Sequence, residues 1–351
     1  LLQDEAAEWA AMQAAGAKVA LALLDDFKEI GGFPADGRIL VLAGKGHNGG
    51  DALLVARAVL LAHPGASAVV VLVFGAGDLR PLAGRALDGL RQQAPARVQI
   101  LPADTALAVD PRYALCLDGI FGFQFRAPMD SGSGQLIAQV NRHKGIHLRA
   151  AVDLPSGVGL TSATEPFRAD FTYATGSVKY PVLSPRNAGV VGRLRYLDIG
   201  LLQEDSAPDA TERILLPSLL HPLAGLRVAQ SDKRTFGHLL LVGGSHSYPG
   251  AVVLAARAAL RSGVGLVTAF VPESLAQEYA ARHPEVMWVG CPVTLEGGLA
   301  AGTADLVRAR AAKATALLIG PGLGAEAETV APAAHLAGEA KMPLVLDADA
   351  L

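Results

Sequence analysis

Residues 38–51, RILVLAGKGHNGGD, decide the fold. The apolar run 38–43 ends in glycines and has no alternating polar positions. That pattern describes a strand buried on both faces of a parallel sheet. A helix is expected over 50–62, stopped by His63-Pro64-Gly65. Gly44, Gly46 and Gly49 of this strand-to-helix joint satisfy G-x-G-x-x-G, a loop whose backbone N–H groups can approach a phosphate at a helix N-terminus. No Gly-Lys-Ser/Thr closes it, so it is not a Walker A loop. Asn48 and Asp51 stand among the glycines. The ordinary role for the first is an αL turn residue, and for the second a helix cap.

Outward from this joint the alternation continues. Helices are expected over 4–24, 81–93 and 133–143, and strands over 67–74, 97–101, 113–117 and 147–152. This is a doubly wound α/β pattern whose strand C-termini share one edge. Asp118-Gly119-Ile120-Phe121-Gly122 and Asp153-Leu154-Pro155-Ser156-Gly157 follow two of these strands, so both loops should meet the glycine loop on the ligand-binding edge. Oxygen donors from Asn, Asp, Ser and backbone carbonyls suit a hard cation, and no Cys/His spacing suits zinc. After residue 160 the pattern loosens, with short strands expected near 171–175 and 193–199. It restarts after Lys233, with strands at 238–242, 265–271, 316–320 and 343–346 and helices at 250–261, 273–282 and 329–340.

Composition narrows the class. The 351 residues carry 30 Lys+Arg against 33 Asp+Glu, a net charge of −3, which argues against a nucleic-acid partner. The longest apolar run, 68–76, is far short of the ~20 residues that cross a bilayer, so no membrane partner is expected. Two cysteines, Cys116 and Cys291, make neither a disulfide framework nor a metal-binding pair, and a reducing, cytoplasmic setting is expected.

The motifs GHNGGDA, DGIFG and DLPSG, in this order, resemble the YjeF N-terminal domain, the NAD(P)H-hydrate epimerase, over roughly residues 1–200. The resemblance implies that His47, Asn48, Gly49, Gly50 and Asp51 hold substrate phosphate and ribose. It implies that Asn48, Asp118 and Ser156 bind K+, and that Asp153 contacts the hydrated nicotinamide; a carboxyl placed there is the expected catalytic acid/base. Gly122, Phe123, Gln124, Phe125, Arg126, Ala127 and Pro128 would line the substrate, with Arg126 available for phosphate. The chain departs from the family at His47, where a second Asn is usual, and at Ala52, where Gly is usual. Phe123-Gln124-Phe125 stands where Thr-Gly-Leu is usual.

The second half carries its own likeness. KRTFGHLLLVGGSHSYPGAVVLAARAALRSGVGLVTAFVPES, LLIGPGLG and PLVLDADAL resemble the start of a ribokinase-like NAD(P)H-hydrate dehydratase, with Ala251 and Gly322 implied to touch substrate. The fold expected is therefore α/β: a Rossmann-like doubly wound parallel sheet over 1–205, a linker over 206–230, and an incomplete ribokinase-like domain over 231–351. The family's nucleotide-binding stretch and its late Gly-x-Gly-Asp would lie beyond Leu351, so the dehydratase is expected to be inactive in this chain. The implied role is repair of hydrated NAD(P)H. One unit epimerises R and S NAD(P)HX. The other, with ADP or ATP, dehydrates the S form. A homo-oligomer acting on a small molecule is expected. The competing readings are a Rossmann-type NAD(P) oxidoreductase, resting on G-x-G-x-x-G alone, and a non-catalytic YjeF-like scaffold.

Overall fold

The computed structural model describes residues 4–102, 112–123, 125–126, 128–159, 165–200 and 214–351. The chain divides into two compact units, Leu1–Ala210 and Thr211–Leu351.

In the first unit the order is α1 (Glu5–Glu29), β1 (Arg38–Ala43), α2 (His47–Ala62), β2 (Ser67–Leu72), α3 (Pro81–Gln93), β3 (Val98–Pro102) and β4 (Tyr113–Gly119). Then follow α4 (Ser131–Arg142), β5 (Ile146–Val152), β6 (Phe171–Thr175), α5 (Tyr180–Leu183), α6 (Ala188–Val191) and β7 (Arg193–Leu197). The sheet order is β3-β2-β1-β4-β5-β6-β7, and every pairing is parallel. The order reverses between β1 and β4, the place where open α/β sheets leave a crevice for ligand. Strand β1 shows why the apolar run is continuous. Ile39, Val41 and Ala43 join one core with α1, α2 and α3, while Leu40 and Leu42 join another with α4. Both faces are covered, so past Arg38 no position on the strand is free to be polar.

Helix α1 runs five residues past its expected end at residue 24. A buried polar knot holds its last turns to the far side of the sheet. Asp26 accepts a hydrogen bond from Tyr173 Oη at 2.9 Å and pairs with Arg195 Nη2 at 2.6 Å.

The second unit contains β8 (His238–Val242), α7 (Pro249–Arg261), β9 (Leu266–Pro272), α8 (Glu273–Arg282), β10 (Met287–Cys291), α9 (Thr303–Ala311), β11 (Ala316–Ile319), α10 (Ala327–Glu339) and β12 (Leu344–Leu346). Its parallel sheet has the order β10-β9-β8-β11-β12. Strand β10 and helix α9 have no counterpart in the sequence expectations. The first is a short edge strand broken up by Gly290 and closed by a proline. The second is an Ala/Arg-rich segment with a weak apolar stripe, of which Ala304 and Val307 are buried. Within residues 206–230, the described part contains a 3₁₀ turn, Pro217–Leu223. Arg227 ties this part to its own unit, donating to the Gly263 carbonyl at 2.7 Å and lying over the Phe236 ring.

Candidate active site

Helix α2 begins at His47, three residues earlier than the sequence suggests, with Gly46 at its N-cap. Packing explains the shift. A Cβ on Gly49 would lie 2.0 Å from the Gly44 carbonyl oxygen, and one on Gly44 would lie 1.9 Å from that of Ile120. Two glycines let the helix start directly on the loop, and the β4 loop passes under it. Asn48 and Asp51 therefore ride on the first turns of α2. The turn and cap roles do not hold: among the described non-glycine residues only Asp153 and Ala348 have positive φ, and Asp51 lies inside the helix.

The loops after β4 and β5 are locked to one another. The fully buried Asp118 carboxylate accepts hydrogen bonds from Ser156 Oγ (2.6 Å), Ser156 N (2.7 Å) and Ile120 N (3.2 Å). Ser156 Oγ in turn accepts from Phe121 N at 2.9 Å, and Asn48 Nδ2 donates to the Phe121 carbonyl at 2.8 Å. Phe121 thus links Asn48, Asp118 and Ser156 into one network. Burial pushes the Asp118 carboxyl up to about 6, against the opposing pull of the Ser156 and Ile120 hydrogen bonds.

Above this network lies a cavity of about 660 Å³. Its walls include His47, Asn48 and Asp51 from α2, Ile120 to Phe123 and Phe125 from the β4 loop, and Asp153. Asp153 sits just past β5 at φ 71°, a left-handed conformation that an Asp can hold at some cost in strain. Its carboxylate is ion-paired with Lys179, whose Nζ also donates to the carbonyls of Thr175 and Ser177, each at 2.9 Å. Burial pushes Asp153 upward while the Lys179 charge pulls it down, and the net direction is up. Asp51 is pushed up further, by burial first and then by the Asp153 charge; its Oδ1 is buried and has no hydrogen-bond partner. Asp51 is one of the residues lining the cavity, and a buried carboxyl oxygen without a partner marks it as a candidate functional group.

Some expected positions take other places. Gly49 and Gly50 are buried backbone beneath the cavity, Gly50 lying against Met12 Cε. Arg126 is exposed and turns back on its own loop, donating to the Phe125 carbonyl at 3.0 Å. Pro128 is exposed and does not line the cavity. Gln124 and Ala127 lie outside the described residues. In the second unit, a Cβ on Gly322 would lie 3.0 Å from the Ala251 Cβ, so these two positions adjoin. The cavity also contains groups that sequence reasoning missed: Lys179, Thr175, Glu8, Lys45, Arg80 and Ile199. Lys179 had one usable signal, its place in a loop that follows a strand on the same edge.

A parallel sheet with a phosphate-type glycine loop and buried carboxylates at its switch point places these groups where open α/β sheets receive ligands. Two family models match the chain: YjeF-related protein N-terminus over residues 9–180, and NAD(P)H-hydrate dehydratase over residues 239–351. Three proteins named bifunctional NAD(P)H-hydrate repair enzyme Nnr are similar to it. That of Gloeobacter violaceus is 37% identical, with 97% of this chain and 65% of that protein covered. That of Moorella thermoacetica is 33% identical, with 97% and 64% covered. That of Pyrobaculum aerophilum is 31% identical, with 99% and 68% covered. The chain belongs to the bifunctional NAD(P)H-hydrate repair enzyme family. It spans 64% and 65% of the length of the Moorella and Gloeobacter relatives. The dehydratase match gives no support to the expectation that this chain's second unit is inactive. Family membership also displaces the oxidoreductase reading, which leaves the DGIFG and DLPSG loops unexplained, and the scaffold reading, which expects Asp118 and Asp153 to be lost, whereas both are present.

Proposed function

We propose that the first unit interconverts the R and S epimers of NAD(P)HX at the cavity above the Asn48–Phe121–Ser156–Asp118 network. The observation that carries this reading is the convergence on one cavity of the α2 start, the β4 loop and an ion-paired, strained Asp153. The reacting carbon, C6 of the hydrated nicotinamide, bears a hydroxyl beside the ring nitrogen. Nitrogen can expel that hydroxyl once it is protonated, so the protein need only move protons and hold the ring. Asp153 is the acid/base. The backbone from Lys45 to Asn48 and the basic Lys45 and Arg80 at the cavity wall suit the pyrophosphate, with Phe123 and Phe125 against the substrate.

Among the described residues, no group of three or more His, Cys, Asp or Glu could hold a metal ion. The oxygens of Asn48, Asp118 and Ser156 offer a single carboxylate charge, which fits a monovalent cation. These three residues would hold K+, and the ion would offset the buried Asp118 charge and stiffen the floor. For the second unit the reading is dehydration of S-NAD(P)HX with ADP or ATP, with Ala251 and Gly322 touching substrate. It is supported by the dehydratase match and by adjoining glycine-rich loops. Among the described residues no helix is long and apolar enough to cross a membrane. A cytoplasmic homo-oligomer without nucleic-acid or membrane partners fits the near-neutral charge and two buried free thiols.

The test is chromatographic separation of R and S NAD(P)HX with K+ present. Interconversion faster than in buffer alone supports the reading, and a rate equal to buffer refutes it.

A further inference from the structure

Inversion at C6 poses a geometric demand. The oxygen must leave from one face of the ring and return to the other. A lone carboxyl on one face would hand the water back where it came from. The cavity holds three carboxyls, Glu8, Asp51 and Asp153; Glu8 is paired with His47 at 3.4 Å, and the other two come from different elements. Asp51 rides on α2, which follows β1, and Asp153 follows β5; these two strands flank β4, whose loop supplies Ile120 and Phe121 to the wall between them. Their surroundings differ. Asp153 is held by the Lys179 ammonium, whereas Asp51 Oδ1 is buried without a partner.

We propose, resting on the epimerase reading above, that Asp51 and Asp153 form a two-face acid/base pair across the substrate ring, with Lys179 as the positioning residue that holds the Asp153 carboxylate. In one direction, protonated Asp51 gives its proton to the C6 hydroxyl. The C6–O bond breaks with its electron pair on oxygen, the ring-nitrogen lone pair forms C6=N1, and water departs. A second water adds to C6 from the opposite face. The C6=N1 pair returns to nitrogen, and the surplus proton of that water goes to the Asp153 carboxylate. The proton count is unchanged. One proton has left Asp51 and one has arrived on Asp153, which is the form of the site that processes the other epimer. Burial pushes both carboxyls up, Asp51 well above its ordinary value, and the Lys179 charge opposes the rise through a direct ion pair only at Asp153, so Asp51 is the one that more readily starts neutral. Glu8, Lys45, His47 and Arg80 are the other charged or titratable groups on the cavity wall. Glu8 and His47 face each other at 3.4 Å.

The experiment follows oxygen. Epimerisation is run in ¹⁸O-labelled water with K+, and the uncatalysed rate is subtracted. The pair predicts one solvent oxygen incorporated at C6 for each catalysed inversion by the unsubstituted protein. Asp51→Asn should lower kcat by roughly 10²-fold or more with a much smaller change in KM. The kcat profile should fall at high pH, as Asp51 loses its proton, and at low pH, as Asp153 gains one. Lys179→Met should move the acid limb to higher pH, and Lys179→Arg should bring it back. Catalysed inversion that retains the original oxygen would point to ring opening at C6–N1 and overturn the pair. Full kcat in a folded Asp51→Asn variant would overturn it as well. If the unsubstituted protein shows no catalysed inversion, the epimerase reading itself fails, and the pair with it.

Discussion

The two units share a core of five parallel strands in the order third, second, first, fourth, fifth, yet they furnish the same sheet edge in opposite ways. In each, the loop after the first strand is pinned to the C-terminal end of the fourth or the loop just beyond it. Gly44 N donates to Gly119 O at 3.1 Å in one, and Gly244 N donates to Pro321 O at 2.8 Å in the other. Beyond that point they diverge. The first unit brings side chains that can gain or lose protons: Asp51, Asp118 and Asp153, with Lys179 beside them. The second brings backbone: Gly244, Gly320, Gly322 and Gly324 all have positive φ. Its nearby carboxylate, Asp349, is occupied in accepting from Gly324 N at 2.9 Å. Topology chooses the place of a site, and loop composition chooses whether titrating side chains or oriented peptide groups act there.

The largest effect should come from removing charge at the first edge. Asp153→Asn keeps the shape and deletes the base, so epimerisation should fall by roughly 10²–10⁴-fold with the thermal unfolding temperature little changed. A variant keeping most of its rate would erase the contrast between the edges. The second edge should instead be sensitive to backbone. Gly320 has φ 127°, and a Cβ there would lie 1.8 Å from the Asp347 carbonyl oxygen. The conformation alone should cost Gly320→Ala roughly 1–3 kcal/mol, and the collision adds to it. Asp349→Asn, which leaves an oxygen to accept the Gly324 N–H, should cost less than about 1 kcal/mol. Chemical denaturation of the two variants checks the ranking, and the reverse order would break the comparison.

Much of this is legible in the sequence. The run 38–43 could only be a two-face-buried strand, and the three loop motifs could only emerge on one edge once the strands were parallel. The start of α2 at His47 was not legible, because the glycines at 49 and 50 are weak helix formers and place the expected start at Gly50. They are tolerated in the helix because Gly44 and Met12 pack where their side chains would be. Lys179 was hidden for a similar reason. Its role depends on a contact with Asp153 across the β5–β6 boundary, and nothing local in GSVKY announces it. Arg126 shows the converse: a cation in a substrate loop invites a phosphate, yet its nearest acceptors are the carbonyls of its own turn.

The edges should also respond differently to acid. Asp118 holds its proton up to about 6 in the folded unit, against an ordinary value of 3.8. A carboxyl whose pKa is raised by folding binds more protons folded than unfolded between those two values, so stability rises as pH falls through that window. Asp153 and Asp51 shift the same way. In the absence of K+, hydrogen exchange of β4 and β5 amides should therefore slow between pH 7 and pH 5 after correction for intrinsic rates. Amides of β8 and β11 should not follow. A faster corrected exchange in β4 and β5 over that range would contradict the assignment of buried, proton-holding carboxyls to the first edge.

The smallest effect, and the sharpest test of what the first edge is for, concerns K+. A cation bound by Asn48, Asp118 and Ser156 binds the folded unit only, so it adds RT ln(1 + [K+]/Kd), about 1.4 kcal/mol at ten times Kd. It needs the ionised Asp118 carboxylate, so the gain should be full well above pH 6 and fade as pH falls through about 6. Cation binding and proton binding then compete for one buried group, and the acid stabilisation described above should shrink when K+ is present. Replacing K+ by choline at constant ionic strength should speed exchange in β4 and β5 but not in β8 and β11. Asn48→Ala should remove the difference, since it deletes an amide oxygen and the Nδ2 bond that ties α2 to Phe121. Equal responses to K+ in both sheets would mean a general salt effect, and the oxygens of Asn48, Asp118 and Ser156 would then serve only to join three loops.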